Sequence, residues 1–148
     1  LRLTSDVLNV ALDPFLIGII ENYFQTPIYL ADVDMRRVHP ISMEEFEKLS
    51  SKNSNGYTAS HWHYDIRGRQ VKVMIYLTDV THEDQNFAFC TKTHRNVTGV
   101  ERSRLDISKS RFPEGWPELK GLEIRECLAD AGTTMMFDTN GIHRLRRK

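Results

Sequence analysis

Apolar residues in the first quarter of the chain recur with a helical period. Leu16, Ile19, Ile20 and Tyr23 stand at i, i+3, i+4 and i+7, which makes one stripe on a helix. Asp13 can cap its start, and Pro14 can occupy the first turn, where a missing N–H costs nothing. A shorter helix is predicted ahead of it, from Ser5 or Asp6 to Ala11, and Pro27 is expected to end the helical region. Residues 28–35 read as a strand. Ser42-Met43-Glu44-Glu45 has the spacing of a capping box and predicts a short helix over 44–49. The polar run 50–56 predicts a loop.

From Tyr57 the period falls to two. Val71, Val73, Ile75 and Leu77 alternate with Lys72, Met74, Tyr76 and Thr78, so this strand has two unlike faces. Phe87 to Cys90 is a short apolar strand. Residues 99–121 hold Pro113, Gly115, Pro117 and many charges, and read as an excursion with one helical turn. Three further strands are predicted over 122–128, 133–137 and 142–146, with turns at Gly132 and Asn140-Gly141. Helices first and then several short strands predict an α+β chain. The β part is expected to close as a double-stranded β-helix, a jelly-roll-like double sheet, with the N-terminal helices packed on one sheet.

Length and composition narrow the function. The chain has 148 residues, which suits one domain with a sizeable core. Lys and Arg total 20 and Asp and Glu total 20, so there is no basic excess to displace counterions from a nucleic acid. The apolar runs look far shorter than the roughly 20 residues of a membrane helix, so no membrane partner is expected. No signal peptide is visible, and Cys90 and Cys127 have no CxxC spacing. Two buried, reduced thiols fit a cytoplasmic location.

Three residues carry the chemistry. His63-Tyr64-Asp65 is an HxD pair, and His143 stands far downstream. Two imidazoles and a carboxylate form the ligand set that binds non-haem Fe(II) on one face and leaves three coordination positions open. On a strand, His63 and Asp65 share a face. An HxD pair alone is weak, since it arises by chance in many chains. His61 falls on the same face and leaves open a structural zinc site closed by His61, His63, Asp65 and His143.

The surroundings of the pair carry a resemblance. Trp62-His63-Tyr64-Asp65, the strand from Lys72 through Tyr76-Leu77-Thr78-Asp79, the segment from Phe87 through Thr93-His94-Arg95, and Asp138 through His143-Arg144 occur in that order. This arrangement resembles the phytanoyl-CoA dioxygenase family of Fe(II)- and 2-oxoglutarate-dependent oxygenases. The resemblance implies a double-stranded β-helix with Fe(II) held by His63, Asp65 and His143. It also implies 2-oxoglutarate as cosubstrate, dioxygen, and hydroxylation of a small-molecule substrate. No acid or base beyond the metal ligands is needed.

The chain departs from that family in places. Thr91-Lys92 stands where Pro-Gly is usual, and Leu145 where Gly follows His-Arg. The Arg that pairs with 2-oxoglutarate some ten residues after the distal His has no counterpart before Lys148. The sequence is therefore expected to be a single oxygenase-like domain, residues 1–148, cut short at its C-terminus. Lys72 is the expected stand-in for the anchor, with Tyr76 beside it on the inward face and Arg144 next to the distal His. Residues 50–56 and 99–121 are the expected lids. An edge left beside His143 would offer a homodimer surface. The alternatives are a non-catalytic jelly-roll domain that has lost 2-oxoglutarate binding, and the structural zinc module.

Overall fold

A computed structural model describes residues 4–36, 42, 44, 61–65, 69–94 and 111–146. Glu44 is helical, but the rest of the predicted helix over 44–49 and the loop over 50–56 lie outside the described residues, as does 99–110 of the predicted excursion. The chain divides into two compact units, residues 1–38 and 39–148.

In the first unit, α1 spans Ser5–Ala11 and α2 spans Pro14–Phe24. Asp13 caps α2 as its sequence position predicts: Oδ1 accepts from the N–H groups of Phe15 and Leu16 at 2.9 and 3.2 Å. Pro27 does not end the helix. Gln25 does, by turning into the left-handed region at φ 53°. Counted as one helical stretch, residues 5–24 have a best 18-residue window of mean hydropathy 1.3, long and apolar enough by length and composition to cross a membrane. The expectation that no stretch reaches that length gives way here. The Asp13 cap nevertheless interrupts the stretch into helices of 7 and 11 residues. Residues 28–35 are not a strand. A strand needs a partner for its ladder, and Ile28 instead donates its N–H to Glu21 Oε1 at 3.3 Å.

The second unit is built from two antiparallel sheets, so the chain is α+β. In chain order the elements are β1 (Trp62–His63), β2 (Val71–Ile75), β3 (Phe87–Cys90), β4 (Arg111–Phe112), α3 (Trp116–Leu119), β5 (Ile124–Cys127), β6 (Thr134–Asp138) and β7 (His143–Leu145). The larger sheet has the order β4-β1-β7-β3-β5, and β2 pairs with β6 in the smaller one. β4 was not foreseen in the sequence excursion; it pairs with β1 through Trp62–Phe112 and His63–Arg111. β7 was expected to leave an exposed edge. It lies inside the sheet instead, paired with β1 on one side and β3 on the other.

Alternation gives the larger sheet two unlike faces. Trp62, Tyr64, Ala88, Cys90, Phe112 and Ile142 form the buried core, with Trp116, Leu122 and Ile124 packed against it. Trp116 stacks on Phe112 with ring centroids 4.2 Å apart, so the aromatic in the excursion packs that segment down. Burial pushes the Cys90 thiol up to about 12, which makes it an inert core group. The other face carries the residues of the candidate site.

Candidate metal centre

One row of residues runs across the larger sheet. Register pairs Arg111 with His63, His63 with His143, and His143 with Phe89, so β4, β1, β7 and β3 each place one side chain on the same face. β1 stops at His63, and Asp65 follows just beyond it. The Asp65 N–H donates to the Thr139 carbonyl at 2.9 Å, which ties the end of β1 to the turn before β7. The strand itself is shorter than expected, but the two side chains still meet.

Metal-ligating atoms of His63, Asp65 and His143 lie within 4.8 Å of one another. The imidazole centroids are 4.4 Å apart. Both rings are oriented the same way. Nδ1 of His63 lies 2.7 Å from the His61 carbonyl, and Nδ1 of His143 lies 2.8 Å from the Gly141 carbonyl. A carbonyl only accepts, so each Nδ1 carries the proton and donates it. Each Nε2 is left with a bare lone pair. His63 Nε2 stands 3.8 Å from Asp65 Oδ1. His61 thus contributes its main chain, and among the described residues the cluster has three members.

The electrostatics favour the ligand forms. Burial holds the His63 imidazole below its ordinary range, against its bond to His61. Burial and the His63 charge lower His143 to about 4. Both rings are neutral near pH 7 and can bind a cation. Burial raises the Asp65 carboxyl, but the Lys72 hydrogen bond and charge outweigh it and hold the group below its usual value. The donor set is therefore two neutral imidazoles and a carboxylate, and it fits a divalent cation.

The walls are aromatic. Phe87 and Phe137 rings lie 5.5 and 5.2 Å from the His143 ring. The turn that delivers His143 is held from several sides. Thr93 is buried, accepts from the Ile142 N–H at 2.8 Å and donates to the Cys90 carbonyl at 2.7 Å. Cys90 N–H donates to the Ile142 carbonyl, and Thr139 N–H to the Gln70 carbonyl. At Gly141 an added Cβ would lie 2.1 Å from Phe89 Cζ, so only glycine lets the turn pass this ring. Neither Thr93 nor Gly141 was singled out for this role by the sequence. Thr93 lies in the segment that begins at Phe87, and the Asn140-Gly141 turn marks the other.

The three residues expected at a cosubstrate are engaged elsewhere. Lys72 is exposed, on the face it shares with Phe137, its partner in register. Its Nζ donates to Asp65 Oδ2 at 2.6 Å. Tyr76 donates its hydroxyl to the Cys127 carbonyl at 2.8 Å, and burial pushes its pKa up to about 12. Arg144 follows His143 on β7 and so projects from the opposite face. Its guanidinium lies 4.3 Å from the Trp62 ring centroid and pairs with Glu114 at 2.5 Å. Arg111 was missed. It is exposed, stands directly across from His63, and its charge helps lower that imidazole. A two-residue strand inside a Pro- and charge-rich excursion leaves no periodic signal by which to find it.

No protein-family model, curated protein or solved structure matches this chain.

Proposed function

We propose that the chain is an Fe(II)- and 2-oxoglutarate-dependent oxygenase on a double-stranded β-helix, of the kind represented by the phytanoyl-CoA dioxygenase family. The observation that carries this reading is the convergence of three ligand atoms within 4.8 Å, with both imidazoles turned by main-chain carbonyls so that Nε2 is free. Three donors on one side of a cation leave room for a chelating acid and for dioxygen. A structural zinc site would instead be closed by a fourth donor.

Each residue then has a task. His63 and His143 present Nε2, and Asp65 presents Oδ1. Phe87 and Phe137 shield the His143 side from water. Arg111, beside His63, supplies a planar guanidinium suited to a carboxylate. Its task is to pair with the distal carboxylate of 2-oxoglutarate. Iron bound at this site supplies dioxygen activation, with 2-oxoglutarate as the source of electrons for oxidising a substrate C–H bond.

The test is anaerobic loading with Fe(II), addition of 2-oxoglutarate and air, and measurement of succinate. Succinate release that disappears in His143→Ala supports the oxygenase. Iron binding without turnover identifies a non-catalytic metal-binding domain. Tight zinc binding with no iron site identifies a structural module.

A further inference from the structure

The two oxygens of Asp65 have different surroundings. Oδ2 is held by the Lys72 ammonium at 2.6 Å, while Oδ1 faces His63 Nε2 at 3.8 Å. Lys72 reaches this oxygen from β2, in the other sheet, so the contact joins the two sheets at the site. From this geometry we infer that Lys72 is a positioning residue for the metal carboxylate: it confines Asp65 to one oxygen on the cation and so keeps coordination positions open. The inference rests on the metal-centre reading and adds a reason for the openness of the site.

A carboxylate with both oxygens free can chelate a divalent cation through both, as it does in many calcium sites. Such chelation at Asp65 would fill a fourth position. The ammonium on Oδ2 opposes it in two ways. It occupies a lone pair of that oxygen, and its positive charge repels an incoming dication. The second effect has a definite sign: removing Lys72 should strengthen metal binding while reducing the number of open positions. A residue that merely supports the local fold would weaken binding when removed.

Mn(II) is the probe, because it relaxes the protons of the waters that exchange on its open positions. Titration of the full chain gives affinity, and water-proton relaxivity of the bound ion gives the number of exchanging waters. Lys72→Met keeps the length and removes the charge. It is expected to bind Mn(II) about tenfold more tightly. Its relaxivity is expected to fall by about one third, from three open positions to two. Lys72→Arg keeps charge and donors and should match the wild type in relaxivity.

Equal affinity and equal relaxivity in Lys72→Met would overturn the inference and leave the metal centre standing. So would weaker binding with unchanged relaxivity, which would make Lys72 a purely structural group. A wild-type chain that binds no Mn(II), with His143→Ala indistinguishable from it, would remove the metal centre itself.

Discussion

Trp62 and His63 are adjacent in the chain, yet they serve opposite faces of the same sheet. Trp62 is fully buried among Tyr64, Ala88, Cys90, Phe112 and Ile142. His63 turns its Nε2 toward Asp65 and His143. The same step recurs on β7, where Arg144 lies over Trp62 and His143 joins His63 and Asp65. The core face gains stability from apolar area removed from water. The ligand face holds buried polar groups whose bonds at best balance their lost hydration. One face therefore stabilises the fold and the other carries the candidate site, and a slip of one residue in register would exchange them.

The largest effect that would break this contrast is at Trp62. Trp62→Ala is expected to cost about 3–5 kcal/mol by opening a cavity in the core, measured by urea unfolding. A loss under 1 kcal/mol would mean that the core does not depend on this face.

Acid should act through the ligand face instead. His143 has a folded value of about 4 against an ordinary 6.5, so the unfolded chain binds the proton first as pH falls. Stability of the metal-free protein should therefore be complete above pH 6.5 and drop between 6.5 and 4, by on the order of 3 kcal/mol. His63 and Asp65, both also lowered, shift it in the same sense: His63 below 6.5 and Asp65 only below its ordinary 3.8. Urea midpoints that stay level from pH 7 to 4.5 would contradict the burial of neutral imidazole.

A smaller effect is expected at the turn. Gly141→Ala drives a methyl into Phe89 and should cost about 1–3 kcal/mol. Because the Gly141 carbonyl holds His143 Nδ1, metal affinity should fall as well. Unchanged Mn(II) affinity in a folded Gly141→Ala protein would show that this carbonyl does not orient the ring.

The smallest change in stability should come at His63. His63→Ala is expected to alter metal-free stability by less than about 1 kcal/mol, while Mn(II) binding is abolished. Neighbouring substitutions would then give opposite outcomes in the two assays. If His63→Ala unfolds the chain as Trp62→Ala does, the division of labour between the faces fails.

Much of this arrangement was legible beforehand, for local reasons. Period-two alternation marks β2, an apolar run marks β3, and Asp13-Pro14 marks the start of α2. The three clustered residues were legible because HxD places two donors together and the motif from Asp138 to Arg144 leads to His143. The partners were not, because they depend on strand order. Lys72 meets Asp65 only because β2 lies across from the end of β1. Arg144 pointed away because His143 already occupied the inward position on β7. Residues 28–35 have strand-like composition but no ladder, and composition does not report whether a partner exists.

Both imidazoles take their orientation from a carbonyl two residues upstream on their own strand or turn. Among the described residues, the hydrogen bond that aims each ring comes from the main chain. Drift in the surrounding side chains can therefore alter the walls of the candidate site without turning either Nε2 away from it. A centre aimed by peptide groups is portable: a short segment can carry it into a different wall and keep its geometry.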